Sequence, residues 1–287
     1  AGYTLLGDFV VGEAKRSGPA GDEESHRYAR AQARLFDRLI VAIAQEYAQE
    51  ERGRSRGVEH ARAERVKRLL AGELVEEAEL GYELGAWHLA VVATGPGSLQ
   101  AFRDVAAKLD RRLLLVRPGK GAVWAWLGGA RKVTAGEFAG FTSSSWPEET
   151  SLAIGEPAYG VTGWRLTHRQ AVAALPILER GSERMVCYSD VALLASALRD
   201  EVLSNSLVQT YLAPLAKERD GGVNLRHTLR AYFDAAGNVS SAAAALDVSR
   251  QTVNSRLRTI EKRIGRPLRS CAAEVELALR LRSLSRG

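Results

Sequence analysis

Several things are scarce in this sequence, and each scarcity excludes a class of protein. No apolar run approaches the roughly 20 residues that a membrane-spanning helix needs; the stretch 5–11 is interrupted by Gly7 and Asp8. No basic segment followed by an apolar core opens the chain, so no secretory signal is visible and a cytoplasmic, membrane-free protein is expected. There are two cysteines, Cys187 and Cys271, too far apart in sequence to suggest a disulfide framework, which again fits a reducing compartment. The five histidines, His26, His60, His88, His168 and His227, contain no pair at metal-ligand spacing. They read as packed or surface side chains, and neither a metal nor a cofactor is expected.

What is present suffices for two or three folded domains in 287 residues, with a hydrophobic fraction of 46% and a charged fraction of 26%. The net charge of +6 is unevenly placed. Residues 221–287 carry twelve Arg and Lys against five Asp and Glu, so the rest of the chain is close to neutral. Positive charge concentrated in one small helical unit suits a polyanionic partner, because neutralised phosphates release counterions.

Along the chain, a Gly/Pro/Ser-containing loop over 12–21 precedes residues 22–72, which read as two long helices. Tyr28, Leu35, Leu39, Ile43 and Tyr47 recur at helical spacing, the first helix is expected to end near Gly53, and the second, 58–70, carries Val66, Leu69 and Leu70. Such a pair suggests a packing or dimerisation element. The middle region reads as a strand over 88–94, a helix over 98–109, and strands over 113–117 and 123–127 joined by Pro118-Gly119-Lys120-Gly121. A short helix near Glu137, a strand over 152–155, a helix over 164–179 and a strand over 185–188 complete a βαββαβ-like order, with helices expected on one face of the sheet. Helices over 191–205 and 208–218 then lead through a flexible break at Asp220-Gly221-Gly222. The expected architecture is α+β and multidomain. It comprises a helical segment (1–72), an α+β domain (73–190), a helical connector (191–220) and an all-α C-terminal domain (221–287).

The C-terminal segment is the most informative. Leu225, Leu229, Tyr232 and Phe233 form the inner face of a first helix that Gly237 can end. Asn238 or Ser240 caps a short alanine-rich helix ending at Leu246, and Ser249 caps the next. In that helix Val253, Leu257, Ile260 and Ile264 face inward, leaving Arg250, Gln251, Asn254, Ser255 and Arg258 outward. A tight turn between two helices, with polar and basic side chains near the start of the second, is what insertion into a DNA major groove requires. Arg bonds a guanine edge bidentately and Asn or Gln an adenine edge, so Arg250, Gln251 and Asn254 are candidates for reading bases. Ser240, Ser249, Thr252, Arg256 and Arg258 are candidates for holding phosphates, and Ser255 shares the outward face.

These residues resemble a known family. Asn238-Val239-Ser240, the run 243–246, Val248, Arg250, Thr252-Val253, Arg256-Leu257 and Ile260-Glu261, followed by Gly265 and Leu268, are similar to the C-terminal helix-turn-helix of PucR/CdaR-type bacterial transcriptional regulators, itself Fis-like. The middle region, from Leu80-Gly81-Tyr82-Glu83-Leu84 and His88-Leu89-Ala90, resembles the GGDEF-like domain often found in front of it. The N-terminal helices resemble the end of an RsbRD-like sensor domain. The resemblance implies a DNA-binding regulator whose upstream domains sense a small-molecule effector or set a homodimer. Where the family usually has histidine before the recognition-helix arginine this chain has Ser249, and where it often has asparagine after it this chain has Gln251, which leaves the target sequence open.

Catalysis by the middle domain is not expected. A diguanylate cyclase needs carboxylates on its central hairpin to hold metal against triphosphate. Here the hairpin offers Gly119-Lys120-Gly121, and Gly128-Gly129-Ala130-Arg131 follows the second strand. Gly119-Lys120-Gly121 also lacks the upstream glycine and following Ser/Thr of a P-loop. The cluster Ser143, Ser144, Ser145 has no nucleophile-elbow context and reads as a loop. The alternative to a DNA-binding regulator is a degenerate nucleotide-binding signalling protein whose C-terminal helices make protein contacts.

Overall fold

The computed structural model describes Gly12 and residues 21–119, 121–142, 146–181, 183–218 and 220–284. The chain divides into two compact units, Ala1–Arg62 and Ala63–Gly287. Most of the expected loop over 12–21, together with Lys120 and the cluster at 143–145, lies outside the described residues.

Helix α1, Gly21–Ala71, is 51 residues long and belongs to the first unit up to Arg62. The expected break near Gly53 does not occur. A glycine inside a helix costs about 1 kcal/mol relative to alanine, which neighbouring Glu and Arg tolerate, and no proline occurs between Pro19 and Pro96 to stop the propagation. Of the face expected from periodicity, Leu35, Leu39 and Ile43 are exposed, as is Ile40. The side chains of Tyr28 and Tyr47 lie outside the described residues.

In the second unit the end of α1 is anchored by Ala63, Val66 and Leu69, which are buried with Leu80, Tyr82, Leu114, Trp126 and Trp164. A single turn, α2 (Glu77–Leu80), leads to β1 (Trp87–Thr94), and α3 (Ser98–Lys108) follows. The hairpin is β2 (Arg112–Gly119) with β3 (Ala122–Gly129), then α4 (Ala135–Thr142), β4 (Ser151–Ile154), β5 (Ala158–Tyr159), α5 (Gly160–Arg180) and β6 (Met185–Cys187). The sheet order is β2-β3-β1-β4-β6, with β5 beside β1. Strand β1 is antiparallel to β3 from Trp87↔Gly129 to Thr94↔Ala122, whereas β4 and β6 run parallel.

Helices cover both faces of this sheet, not one. Leu89, Val91 and Ala93 face α3 and α4 through Phe102, Val105 and Phe138. The alternate residues pack the other way: Ala90 lies with Trp126 and Trp164, and Val92 with Ala171 and Ala174 of α5. Successive side chains of a strand point to opposite faces, so a strand with an unbroken apolar run, here 89–93, needs cover on both. The approach of α5 is close. A Cβ on Gly155 would lie 2.0 Å from the Thr167 carbonyl oxygen, and the Thr167 hydroxyl accepts a hydrogen bond from the Ala90 amide at 2.9 Å.

The connector consists of α6 (Tyr188–Arg199) and α7 (Glu201–Tyr211), followed by a 3-10 turn at Ala213–Lys217. The helices part at Asp200, earlier than expected, because its carboxylate accepts from the Leu203 amide at 2.9 Å and starts a new helix there. The break at Asp220-Gly221-Gly222 is an ordered turn: the Asp220 carboxylate accepts from the amides of Gly222 and Asn224, each at 2.8 Å. Four helices follow: α8 (Val223–Asp234), α9 (Val239–Ala245), α10 (Arg250–Ile264) and α11 (Ala272–Leu284). Their core includes Leu225, Leu229, Ile260, Val275 and Leu279, and it continues through Leu207, Tyr211 and Leu215 into Val186, Val191 and Leu194. No helix among the described residues is long and apolar enough to cross a membrane.

Candidate nucleic-acid interface

Three short-range devices set the geometry of α8–α10. At the end of α8 the Gly237 amide donates to the Tyr232 carbonyl and the Ala236 amide to Phe233, both at 2.8 Å, a Schellman closure. The left-handed position expected for Gly237 is shared: Ala236 has φ 49° and Gly237 φ 81°. Of the two caps proposed for α9, Asn238 is the one used, its Oδ1 accepting from the amides of Ser240 and Ser241. A second Schellman closure ends α9, with Val248 donating to Ala243 and Asp247 to Ala244, and Asp247 at φ 51°. Ser249 then caps α10, its Oγ accepting from the Thr252 amide at 3.0 Å.

The buried side of α9 consists of Ala242 and Ala243, which meet Val253 of α10, with Tyr232, Leu246, Val248 and Leu257 around them. Methyl-sized side chains let the two helices approach closely. On α10, Val253 and Ile260 are fully buried, while Leu257 and Ile264 are half-buried on the same side. Arg250, Gln251, Asn254, Ser255 and Arg258 are all exposed. Positions 250, 254 and 258 follow at intervals of four, as do 251 and 255, so they form two adjacent rows on one face.

The remaining predicted residues are placed differently. Ser240 is exposed in the first turn of α9. The hydroxyls of Ser249 and Thr252 lie 2.8 Å apart and hydrogen-bond to each other, so both are engaged in the cap. Arg256 is half-buried and donates from Nη1 to the Thr228 Oγ at 3.2 Å, tying α10 to α8. That hydroxyl itself donates to the Asn224 carbonyl. No local sequence pattern announces the part Thr228 plays, because its partner is 28 residues away. At the far end of α10, Arg263 makes a two-pronged contact with Glu218, at 2.6 and 2.9 Å, fixing the helix to the connector.

In the α+β domain, the residues around β3 form a packed polar and aromatic cluster. His88 is fully buried, with Nδ1 2.9 Å from the Tyr82 hydroxyl and Nε2 2.9 Å from the Leu84 carbonyl. The carbonyl can only accept, so Nε2 carries the proton and Nδ1 accepts from Tyr82; burial pushes the His88 pKa down. No group of three or more His, Cys, Asp or Glu with metal-binding geometry is found among the described residues.

A helical pair closed by capped turns, with a polar, basic face on the second helix, defines a helix-turn-helix protein, here behind an α+β domain. Residues 225–282 match the PucR C-terminal helix-turn-helix domain, and residues 71–177 match the GGDEF-like domain. The chain thus carries a PucR-type C-terminal helix-turn-helix domain behind a GGDEF-like domain. No curated protein matches the sequence. Among solved structures, the regulator of polyketide synthase expression from Bifidobacterium adolescentis is similar, at 15% identity and a TM-score of 0.39, covering 77% of this chain and 96% of that one.

Proposed function

We propose that the chain is a cytoplasmic, sequence-specific DNA-binding regulator that acts as a homodimer and whose α+β domain senses a small molecule without catalysing a reaction. The observation that carries DNA recognition is the exposed face of α10, Arg250, Gln251, Asn254, Ser255 and Arg258, directly opposite the buried Val253 and Ile260. With α10 in the major groove, the first-turn side chains Arg250 and Gln251 and the next-turn Asn254 reach base edges. Ser240, Ser249, Thr252, Arg256 and Arg258 supply or orient contacts to phosphate. Homodimer formation fits the exposed apolar residues of α1, since one helix-turn-helix reads only a few base pairs and a two-fold pair reads two half-sites. The hairpin and the segment after β3 bring no carboxylate pair that could hold metal against a triphosphate, which supports a non-catalytic reading.

The test uses the whole chain. DNA fragments retained by the protein are sequenced, and titrations on the enriched site and on a scrambled duplex are repeated at several salt concentrations. Affinity is expected to fall linearly on a log–log plot with salt. Arg250→Ala is expected to cost about 1–3 kcal/mol at the enriched site and to flatten the preference at one base position. Absence of salt-dependent duplex binding, or equal loss on both duplexes for Arg250→Ala, would overturn this reading in favour of a protein-contact role for the C-terminal helices.

A further inference from the structure

Between the α+β domain and the helix-turn-helix domain lies an open cleft of about 410 Å³. Its floor is apolar: Ile177 from α5, Val186 from β6, and Val191 and Leu194 from α6. Its rim is polar, with Arg180 at the end of α5 and Arg280 and Ser283 near the end of α11. Arg280 is held in place by donating from both terminal nitrogens to the Asp190 carbonyl at 3.3 Å. These bonds are long and go to a neutral acceptor, and Arg280 makes no ion pair among the described residues. Arg180 makes no ion pair among the described residues. Among the described residues lining the cleft, Glu183 is the one acidic side chain, against two arginines.

We propose that this cleft is a binding site for a small organic carboxylate with an apolar body, and that it is the effector site of the regulator. The carboxylate would lie between Arg180 and Arg280, and the apolar body would cover Val191 and Leu194, while the Ser283 hydroxyl donates to the Arg280 carbonyl at 2.6 Å and takes no part. A cleft of this size and composition, apolar walls with a few convergent polar groups, is what small-molecule sites share. The choice of an anion follows from the excess of arginine; the choice of an apolar body follows from the floor. The position gives the ligand a lever. Its walls come from α5 and β6 of the α+β domain, from the connector α6, and from α11, the last helix of the helix-turn-helix domain. A ligand touching all of them has a different affinity for each arrangement of these elements, which is the condition for shifting a population. This rests on the regulator reading above, but its test reads ligand binding without DNA, so either can fail alone.

The probe is octanoate, titrated into the full chain by calorimetry, with octanol and acetate as controls for body without charge and charge without body. Octanoate is expected to bind with Kd on the order of 1 mM or tighter, consistent with the limited efficiency of a ten-heavy-atom ligand. Arg180→Met and Arg280→Met keep the aliphatic stem and remove the charge; each is expected to weaken octanoate about tenfold, the scale of one charge-assisted hydrogen bond, with little effect on octanol. Arg180→Lys should recover part of the loss, which distinguishes a lost charge from a lost fold, and urea midpoints establish that each variant is folded. Three results overturn the proposal: no octanoate binding up to about ten times the expected Kd, octanol binding as tightly as octanoate, or unchanged octanoate affinity in both methionine variants.

Discussion

His168 makes the stability of the α+β domain depend on pH in a way that can be calculated. Its ring is 5% exposed, stacked on Trp126 at 4.9 Å and 19°, with Trp124 edge-on at 4.4 Å. Among the described residues its Nε2 has no hydrogen-bond partner. Burial, and then the charge of Arg169, push its pKa down from 6.5 to about 4. The folded state therefore holds the ring neutral over a range in which the unfolded chain binds a proton. Below pH 6.5 the unfolded state binds more protons than the native one, so stability falls on acidification until the pH passes the folded pKa near 4. A separation of about 2.5 units corresponds to roughly 3 kcal/mol in full, and to about 2.5 kcal/mol by pH 4.5. The assay compares urea midpoints at pH 7 and pH 4.5 for the native chain and for His168→Phe, which keeps an aromatic ring but cannot titrate. Carboxylates contribute to both proteins alike, so the native chain is expected to lose about 2.5 kcal/mol more than the variant on going to the lower pH. Equal losses would refute the argument that burial holds this ring neutral.

Ser249→Ala removes the hydroxyl that accepts the Thr252 amide and is expected to cost about 1 kcal/mol of stability by urea denaturation, together with weaker DNA binding. Asp247→Gly relieves a left-handed residue at φ 51° and is expected to raise stability by up to about 1 kcal/mol in the same assay, provided the turn keeps its hydrogen bonds. A double-mutant cycle on Arg256→Ala and Thr228→Val is expected to show a coupling of about 0.5–1.5 kcal/mol in folding stability, while a strictly additive result would mean that the 3.2 Å contact carries nothing. Incubation of the full chain with GTP and magnesium or manganese is expected to yield no cyclic dinucleotide above a heat-killed control, as read by mass spectrometry.

Where a residue's partner lies within one helical turn or one hairpin, its role was visible in the sequence. Ser249 could be identified as a cap because the amide it accepts is three residues on, and β2 and β3 could be paired because the glycines between them mark a turn. The alternation of Val253 and Ile260 with Arg250 and Asn254 likewise gave both faces of α10. What was not visible depends on residues far apart. Arg256 looked like a free phosphate ligand until the fold placed Thr228 beside it. Covering only one face of β1 seemed sufficient until its alternate residues proved to need α5 as well. The unbroken course of α1 through Gly53 is the converse case, in which a weak local signal is outweighed by the helix formers on both sides.

The all-methyl contact face of α9 bears on how such a protein diversifies. Ala242 and Ala243 have no rotamers to choose among, so the seat they provide for Val253 has a single shape, set by backbone alone. Exchanging exposed side chains at 250, 251 or 254 therefore leaves that seat untouched. On the proposed reading, new base preferences arise by substitution on one side of α10 while the opposite side keeps the same register. Exchanges on that face thus need no compensating repair of the fold; of the two departures from the common pattern, Gln251 lies on it, whereas Ser249 caps the helix and is tied to the fold.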